Sequence, residues 1–293
     1  MPGGVEPSNL NKVFWPKEGL TKGDLIGYFD AVAPHLLRSL RNRPLTVIRF
    51  PDGIEGGSFY QKNTPKYAPD WVKTIALPAE SARREVRYTL CNDKRTLRWL
   101  ANQACIELHP WLSRVDRIER PEYLVFDLDP PRDAFDRSVR VALVLREVLD
   151  DLGLEGLPKT SGGKGVHVYV PLQRRHHYHD VRAAAVNIGQ RVEERIPDEA
   201  TAEFLIAKRG GRVYLDAGRN APGAHVVAPY SPRARPGAPV SFPVPWDDLK
   251  QVDPADFTIR NVPDLLAKED PWKELMPGPQ TIPREVLAED PPG

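Results

Sequence analysis

Apolar side chains recur at helical spacing in several stretches of the chain and alternate, or run together, in shorter ones. After Thr21, read as an N-cap with Asp24 in the first turn, apolar positions fall at Leu25, Phe29, Val32 and Leu36. That spacing predicts an amphipathic helix, interrupted near Pro34. Asn92 or Asp93 caps a second predicted helix reaching about Leu108, with Leu97, Leu100, Ala101, Ala104 and Leu108 on its apolar side. Further helices are predicted over 135–152 and 180–196. The apolar runs 45–50, 123–128 and 212–216 read as strands. In 166–170, Val166, Val168 and Val170 share one face and His167 and Tyr169 the other, a strand alternation. Pro51-Asp52-Gly53 reads as a turn, and 56–63 as a loop carrying exposed aromatics beside Lys62. Prolines become denser beyond Pro229, and the stretch after Pro271 reads as a loosely held tail. The mixture predicts an α/β (α+β) class and one compact unit rather than two independent domains. No internal repeat or low-complexity tract occurs.

Composition narrows the setting. The 293 residues are 41% hydrophobic, enough to build a core and too many for a largely disordered chain. No run of about 18 apolar residues is present, so no membrane-spanning helix or membrane partner is expected. The start, Met1-Pro-Gly-Gly-Val-Glu, does not read as a signal peptide. Cys91 and Cys105 are the only cysteines and read as small packing residues; a disulfide scaffold and a cysteine zinc site are not expected. A cytoplasmic setting is the default.

The net charge of +1 argues at first against a nucleic-acid partner, but the charges are unevenly placed. Residues 1–100 hold 16 Lys and Arg against 10 Asp and Glu, and 201–246 hold 6 against 2. Residues 101–200 and 247–293 are net acidic. A basic groove is expected if the two basic segments meet.

The most informative motif is Tyr123-Leu-Val-Phe-Asp127-Leu-Asp129-Pro130. Carboxylates at i and i+2 of a strand share a face, about 6–7 Å apart. They can converge on divalent ions held roughly 3.5–4 Å apart, the separation used in phosphoryl displacement. Asp-x-Asp is also common at strand ends that simply meet solvent, so three further segments matter. Ser161-Gly-Gly-Lys-Gly-Val-His167 is a glycine-rich loop feeding a strand. Its amides, Ser161 and Lys164 suit phosphate oxygens, although it is not a P-loop and an ordinary hairpin turn is the plain alternative. Arg212-Val-Tyr-Leu-Asp216 adds a third acid, preceded by Lys208 and Arg209 and followed by Arg219 and Asn220. Ala228-Pro-Tyr-Ser-Pro-Arg233-Ala-Arg235 places arginine in a stiff loop suited to phosphate.

In this order the segments resemble the polymerase domain of bacterial end-joining DNA ligase D, a member of the archaeo-eukaryotic primase superfamily. The resemblance extends upstream through Asn11-Lys-Val-Phe-Trp-Pro, Leu20-Thr-Lys-Gly-Asp, Ser58-Phe-Tyr-Gln-Lys-Asn, Ala68-Pro-Asp-Trp and Trp99-Leu-Ala-Asn-Gln-Ala, and closes at Trp246-Asp-Asp-Leu. It covers roughly residues 9–270. It implies a primase-like catalytic core with an RRM-like sheet and a packed N-terminal α/β lobe, together a single unit over 1–270, followed by an acidic, Pro-rich tail over 271–293. By the same resemblance Asp127, Asp129 and Asp216 would bind two Mn²⁺ or Mg²⁺ ions and act in catalysis. Ser161, Lys164, His167, His109, Arg209 and Arg233 would contact an incoming NTP or dNTP, and Phe59 and Tyr60 would stack on a base. Lys12 and Lys22 would hold the 5′-phosphate of gapped or broken DNA. The implied activity is template-dependent addition of nucleotides to primer 3′-ends in end joining or gap filling, with a separate DNA ligase and an end-binding protein as possible partners. Ile48 and Ala224 depart from the family pattern, each standing where many members have lysine. No Lys-x-Asp-Gly ligase motif occurs, which reads as a stand-alone polymerase or an excised domain.

Other readings are a primase that starts chains unprimed, a non-catalytic DNA-end-binding module and, more distantly, a metal-dependent phosphohydrolase. His176-His177-Tyr178-His179 invites a zinc site, but reads more simply as an exposed lead into a helix. Trp15, Trp71 and Trp99 are expected to pack in the core.

Overall fold

The computed structural model describes residues 5–79 and 84–287. They fall into two compact units, one drawn from Met1–Asp116, His225–Ser241 and Ala255–Asp270, the other from Arg117–Ala224, Phe242–Pro254 and Pro271–Gly293.

The first unit begins with a short hairpin, β1 (Val13–Trp15) with β2 (Leu20–Thr21), that leads into α1 (Lys22–Leu40). Thr21 caps α1 as its sequence predicts: its hydroxyl accepts from the Asp24 amide, and the Asp24 carboxylate accepts from the Thr21 amide. The expected break at Pro34 does not occur, and the helix runs through it. Proline there removes one backbone bond at about 3 kcal/mol. The turns beyond it bury Leu36, Leu37 and Leu40, each contributing roughly 1.5–3 kcal/mol, so the second half outweighs the defect.

Five strands follow: β3 (Pro44–Arg49), β4 (Phe59–Gln61), β5 (Thr74–Ala79), β6 (Arg84–Leu90) and, after the helix α2 (Lys94–Asn102), β7 (Cys105–Pro110). β3 is central, pairing with β7 along one edge and with β4 and β6 along the other. The segment 56–63, expected as a loop, thus contains an edge strand, and its aromatics are exposed as expected.

The helix expected to reach Leu108 ends at Asn102. Ala104 turns the chain with a left-handed φ of 61°, and Leu108 lies in β7. All six residues of β7 are buried, so apolar side chains there satisfy a helical period without forming a helix. A short helix, α5 (Val262–Leu266), completes this unit against α1.

The second unit is built on β8 (Tyr123–Asp129), α3 (Phe135–Asp151), β9 (Leu157–Thr160), β10 (Val166–Pro171), α4 (Tyr178–Arg195), β11 (Ala200–Thr201) and β12 (Val213–Asp216). The strand order is β11-β12-β8-β10-β9, antiparallel except for the β11–β12 pair. Leaving out β11, this is the βαββαβ arrangement expected of an RRM-like sheet. Register separates its two faces, because residues paired across strands point the same way. Leu124, Phe126, Leu128, Val166, Val168, Val170 and Leu215 form an apolar face. Val125, Asp127, Asp129, His167, Tyr169, Tyr214 and Asp216 share the other.

The segment after Pro271, expected as a loose tail, is packed into this unit as far as it is described. It opens with α6 (Pro271–Glu274), whose Trp272 meets Tyr169 edge to face at 5.0 Å and Tyr123 at 5.9 Å. Gln280 exchanges backbone hydrogen bonds with Pro171 and Gln173, and Ile282 and Val286 are buried. Proline density conceals this docking, since its anchors are a few widely spaced apolar residues. Trp15 and Trp99 are core residues as expected, whereas Trp71 is half-buried under the Arg95 guanidinium at 3.8 Å. Cys91 and Cys105 are buried free thiols.

Candidate active site

Strand pairing in the second unit lines up four ionisable residues. Lys159 on β9 faces His167 on β10, His167 faces Asp127 on β8, and Asp127 faces Asp216 on β12. Asp129 lies two residues along β8 from Asp127 and faces Tyr214. The three acids that the sequence singles out are therefore brought together at the ends of two paired strands.

Asp127 is 8% exposed. Its Oδ1 lies 3.2 Å from His167 Nε2, and its Oδ2 accepts from Arg219 Nε at 2.9 Å. Burial alone would raise its pKa, but the His167 and Arg219 interactions overcome that and hold the carboxyl well below the usual carboxylate range. Asp129 goes the other way. Burial and the neighbouring Asp127 charge raise it, with Lys164 and Arg219 only partly compensating. Asp216 is ion-paired with Arg219 at 3.1 Å and accepts from the Gly218 amide at 2.8 Å.

Arg219 thus bridges two of the three acids, a role that sequence reasoning misses. The available signal is a cation three residues after Asp216, held by its neighbour. Asn220 is fully buried and hydrogen-bonds both ways to the Val125 backbone, fixing the turn against β8.

Three carboxylates are the hard oxygen donors that Mg²⁺ or Mn²⁺ takes, and Asp129 is raised by burial and then by the Asp127 charge. The donor chemistry fits a hard divalent cation. Among the described residues no three acidic, His or Cys side chains already stand as a ligand set, and the Arg219 guanidinium supplies the positive charge between Asp127 and Asp216.

The glycine-rich segment is the β9–β10 hairpin loop, opposite β8. Ser161 Oγ accepts from the Gly163 and Gly165 amides, so two amides expected to face phosphate instead shape the loop. Gly162 takes a φ of +65°, and a Cβ on Gly165 would lie 2.4 Å from the Leu128 carbonyl oxygen. Lys164 donates to the Pro130 carbonyl and stands 4.0 Å from Asp129. Arg209 stacks on the Tyr214 ring at 3.9 Å and donates to the backbone of Phe204 and Glu203, holding its own loop. The segment 176–179, expected as an exposed lead into a helix over 180–196, exposes His177 and His179 but half-buries His176, and α4 already begins at the buried Tyr178.

The remaining predicted residues lie in the first unit as two groups. Glu107, which sequence reasoning missed although it sits two positions before His109 on one strand, pairs with His109 at 3.2 Å and with Arg233 at 3.1 Å. Burial opposes ionisation of Glu107, but these partners and the Ala234 amide bring its pKa down to about 2. His109 meets His225 edge-on at 6.3 Å, and His225 stacks with Tyr60 at 6.0 Å. Phe59 and Tyr60 are 46% and 64% exposed, open enough to offer ring faces to a base.

The second group is a cavity of about 130 Å³ lined by Lys12, Lys22, Arg49, Asn9, Asn102 and Gln103, among others. That is the volume of roughly four waters. Burial, then Lys12, then Arg49 lower the Lys22 pKa, so the pocket concentrates positive charge. Lys12 is paired with Asp52 at 2.6 Å. Arg49 had no sequence signal, because it meets Gln103 and Ala104 only through the pairing of β3 with β7.

The model of the LigD primase-polymerase domain matches residues 21–272. The bifunctional non-homologous end joining protein LigD of Bacillus subtilis is 36% identical over 284 residues, covering 96% of this chain and 45% of that protein. The multifunctional non-homologous end joining protein LigD of Pseudomonas aeruginosa is 35% identical over 279 residues, covering 92% and 33%. The chain spans less than half the length of these curated relatives. The polymerase domain of Mycobacterium tuberculosis Ligase D, solved in complex with DNA, superposes with a TM-score of 0.83 at 30% identity, over 91% of this chain and 95% of that one. With the acids, the hairpin loop and the sheet topology in the expected order, the chain belongs to the LigD primase-polymerase domain family.

Proposed function

We propose that this chain is a template-dependent nucleotidyltransferase that extends primer 3′-ends at short gaps or broken ends of DNA. The observation that carries the reading is the convergence of Asp127, Asp129 and Asp216 on paired strand ends, with the Lys164 loop leading into the next strand.

These acids would hold two divalent cations, which when bound lower the pKa of a primer 3′-hydroxyl and neutralise triphosphate charge. His167 and Arg219 favour the ionised form of Asp127, the form that binds a cation. Lys164 would supply further positive charge for the triphosphate, and His167 keeps Asp127 oriented. Phe59 and Tyr60 give base-stacking surfaces worth about 1–3 kcal/mol per base. Glu107 orients His109 and Arg233 for contacts to the nucleotide. Attack of the primer oxygen on the α-phosphorus forms the new P–O bond, breaks the α–β bridge and releases pyrophosphate. The Lys12, Lys22 and Arg49 cavity would take the downstream 5′-phosphate.

The names of the relatives and the DNA complex of one of them support a role in end joining; a separate DNA ligase and an end-binding protein are the partners this reading proposes. Primer extension on a gapped, 5′-phosphorylated duplex tests the reading, with Mn²⁺ or Mg²⁺ and NTP or dNTP compared and an unprimed template as the primase control. Asp127→Ala is expected to abolish extension while gapped-DNA binding persists; full activity in that variant would overturn the assignment. Lys12→Ala with Lys22→Ala should erase the preference for 5′-phosphorylated over 5′-hydroxyl gaps, read as a ratio of binding constants.

A further inference from the structure

We propose that Lys159 is a positioning residue that holds His167 in the tautomer whose Nε2–H points at Asp127. Lys159 is fully buried, which lysine almost never is without a partner. Its Nζ lies 3.0 Å from His167 Nδ1. As an ammonium, Lys159 has donors and no acceptor, so it bonds Nδ1 only where that nitrogen accepts. The proton of a neutral imidazole then sits on Nε2, which is 3.2 Å from Asp127 Oδ1.

Register makes this arrangement hard to avoid. Lys159, His167 and Asp127 are direct neighbours on β9, β10 and β8, and their side chains share one face. The Tyr169 ring lies 5.6 Å from the ammonium on that face. Were Nδ1 to carry the proton, it would oppose the lysine donors, and the Nε2 lone pair would face the Asp127 carboxylate. Both contacts would be repulsive. Lys159 therefore acts on Asp127 through the imidazole: it keeps Oδ1 engaged in one direction, while Oδ2 faces Arg219. A partner hydrogen-bonded to a metal ligand typically changes metal affinity or activity about 10- to 100-fold, and Lys159 acts on Asp127 through such a partner, His167.

The tautomer does not depend on the polymerase reading; its consequence for cation binding does. Long-range ¹H–¹⁵N spectra of the full chain, with the His167 signals identified by their loss in His167→Gln, decide the first point. A protonated Nε2 and an unprotonated Nδ1 are expected in the wild-type protein, and the reverse pattern would overturn the proposal. In Lys159→Met this pattern should be lost, and Mn²⁺ affinity, read by electron paramagnetic resonance without nucleotide, should fall by about 10- to 100-fold. A folded Lys159→Met that keeps both the pattern and the affinity would overturn it as well. If that variant does not fold, the wild-type spectrum still decides. A wild-type protein with the expected tautomer that extends no primer would retract the polymerase reading and leave the Lys159 assignment standing.

Discussion

Glu107 shows how a buried carboxylate is retained. It is 5% exposed, and its charge is matched by His109, Arg233 and the Ala234 amide. Its pKa falls from an ordinary 4.5 to about 2 in the fold. The unfolded chain therefore binds this proton more tightly than the native one between those values. Ionised Glu107 contributes stability that is fully present above about pH 4.5 and is lost as the pH falls through about 2. The shift corresponds to about 3 kcal/mol. Urea unfolding should show Glu107→Gln less stable than wild type by roughly that amount near neutral pH, with the gap closing in acid. A gap independent of pH would mean that packing, not charge, makes the difference. Arg219 repeats the theme in the other unit, where one guanidinium serves two acids.

At the scale of elements, the β9–β10 hairpin governs how accurately the acids are placed. Gly165 passes so close to Leu128 that a Cβ would stand 2.4 Å from a backbone oxygen, a contact no side chain can absorb. Because Val166 pairs with Leu128 and His167 with Asp127, any widening there is transmitted to the ionisable row. Gly165→Ala is expected to destabilise the protein by about 1–3 kcal/mol, as overpacking does. It should also lower extension activity more than an alanine at Gly57, where a Cβ would meet nothing within 4 Å. Urea midpoints and extension rates of the two variants check both statements. Equal effects at both glycines would remove the hairpin from the argument.

At the scale of the molecule, the chain passes between the two units five times, so neither is made from one continuous stretch. The second unit is finished only when Pro271 and its successors return to it. Trp272 is 5% exposed and packed against tyrosines from β8 and β10, the strands that also carry Asp127 and His167. Trp272→Ala should cost about 3–5 kcal/mol, the range for deleting a buried large aromatic. Circular dichroism during thermal unfolding would report this as a lowered midpoint. An unchanged midpoint would return the segment to the status of a tail.

What the sequence determined by itself is whatever depends on near neighbours. The Thr21–Asp24 capping box, the alternation of 166–170 and the Asp127–Asp129 pair are each complete within a few residues, and all three stand in the fold as read. Periodicity misled at the end of α2, where Ala104 and Leu108 matched a helix but belong to a turn and a fully buried strand. Pro34 likewise looked disruptive until the burial of Leu36, Leu37 and Leu40 was available to offset it.

Only tertiary structure decided which distant residues share a row or a pocket. Arg49 reaches the Lys12–Lys22 cavity through strand pairing, Arg219 reaches Asp127 because Asn220 pins its turn to β8, and Lys159 reaches His167 across a hairpin. Register is the reason: hydrogen-bonded strands bring together side chains whose separation along the chain carries no information about their separation in space.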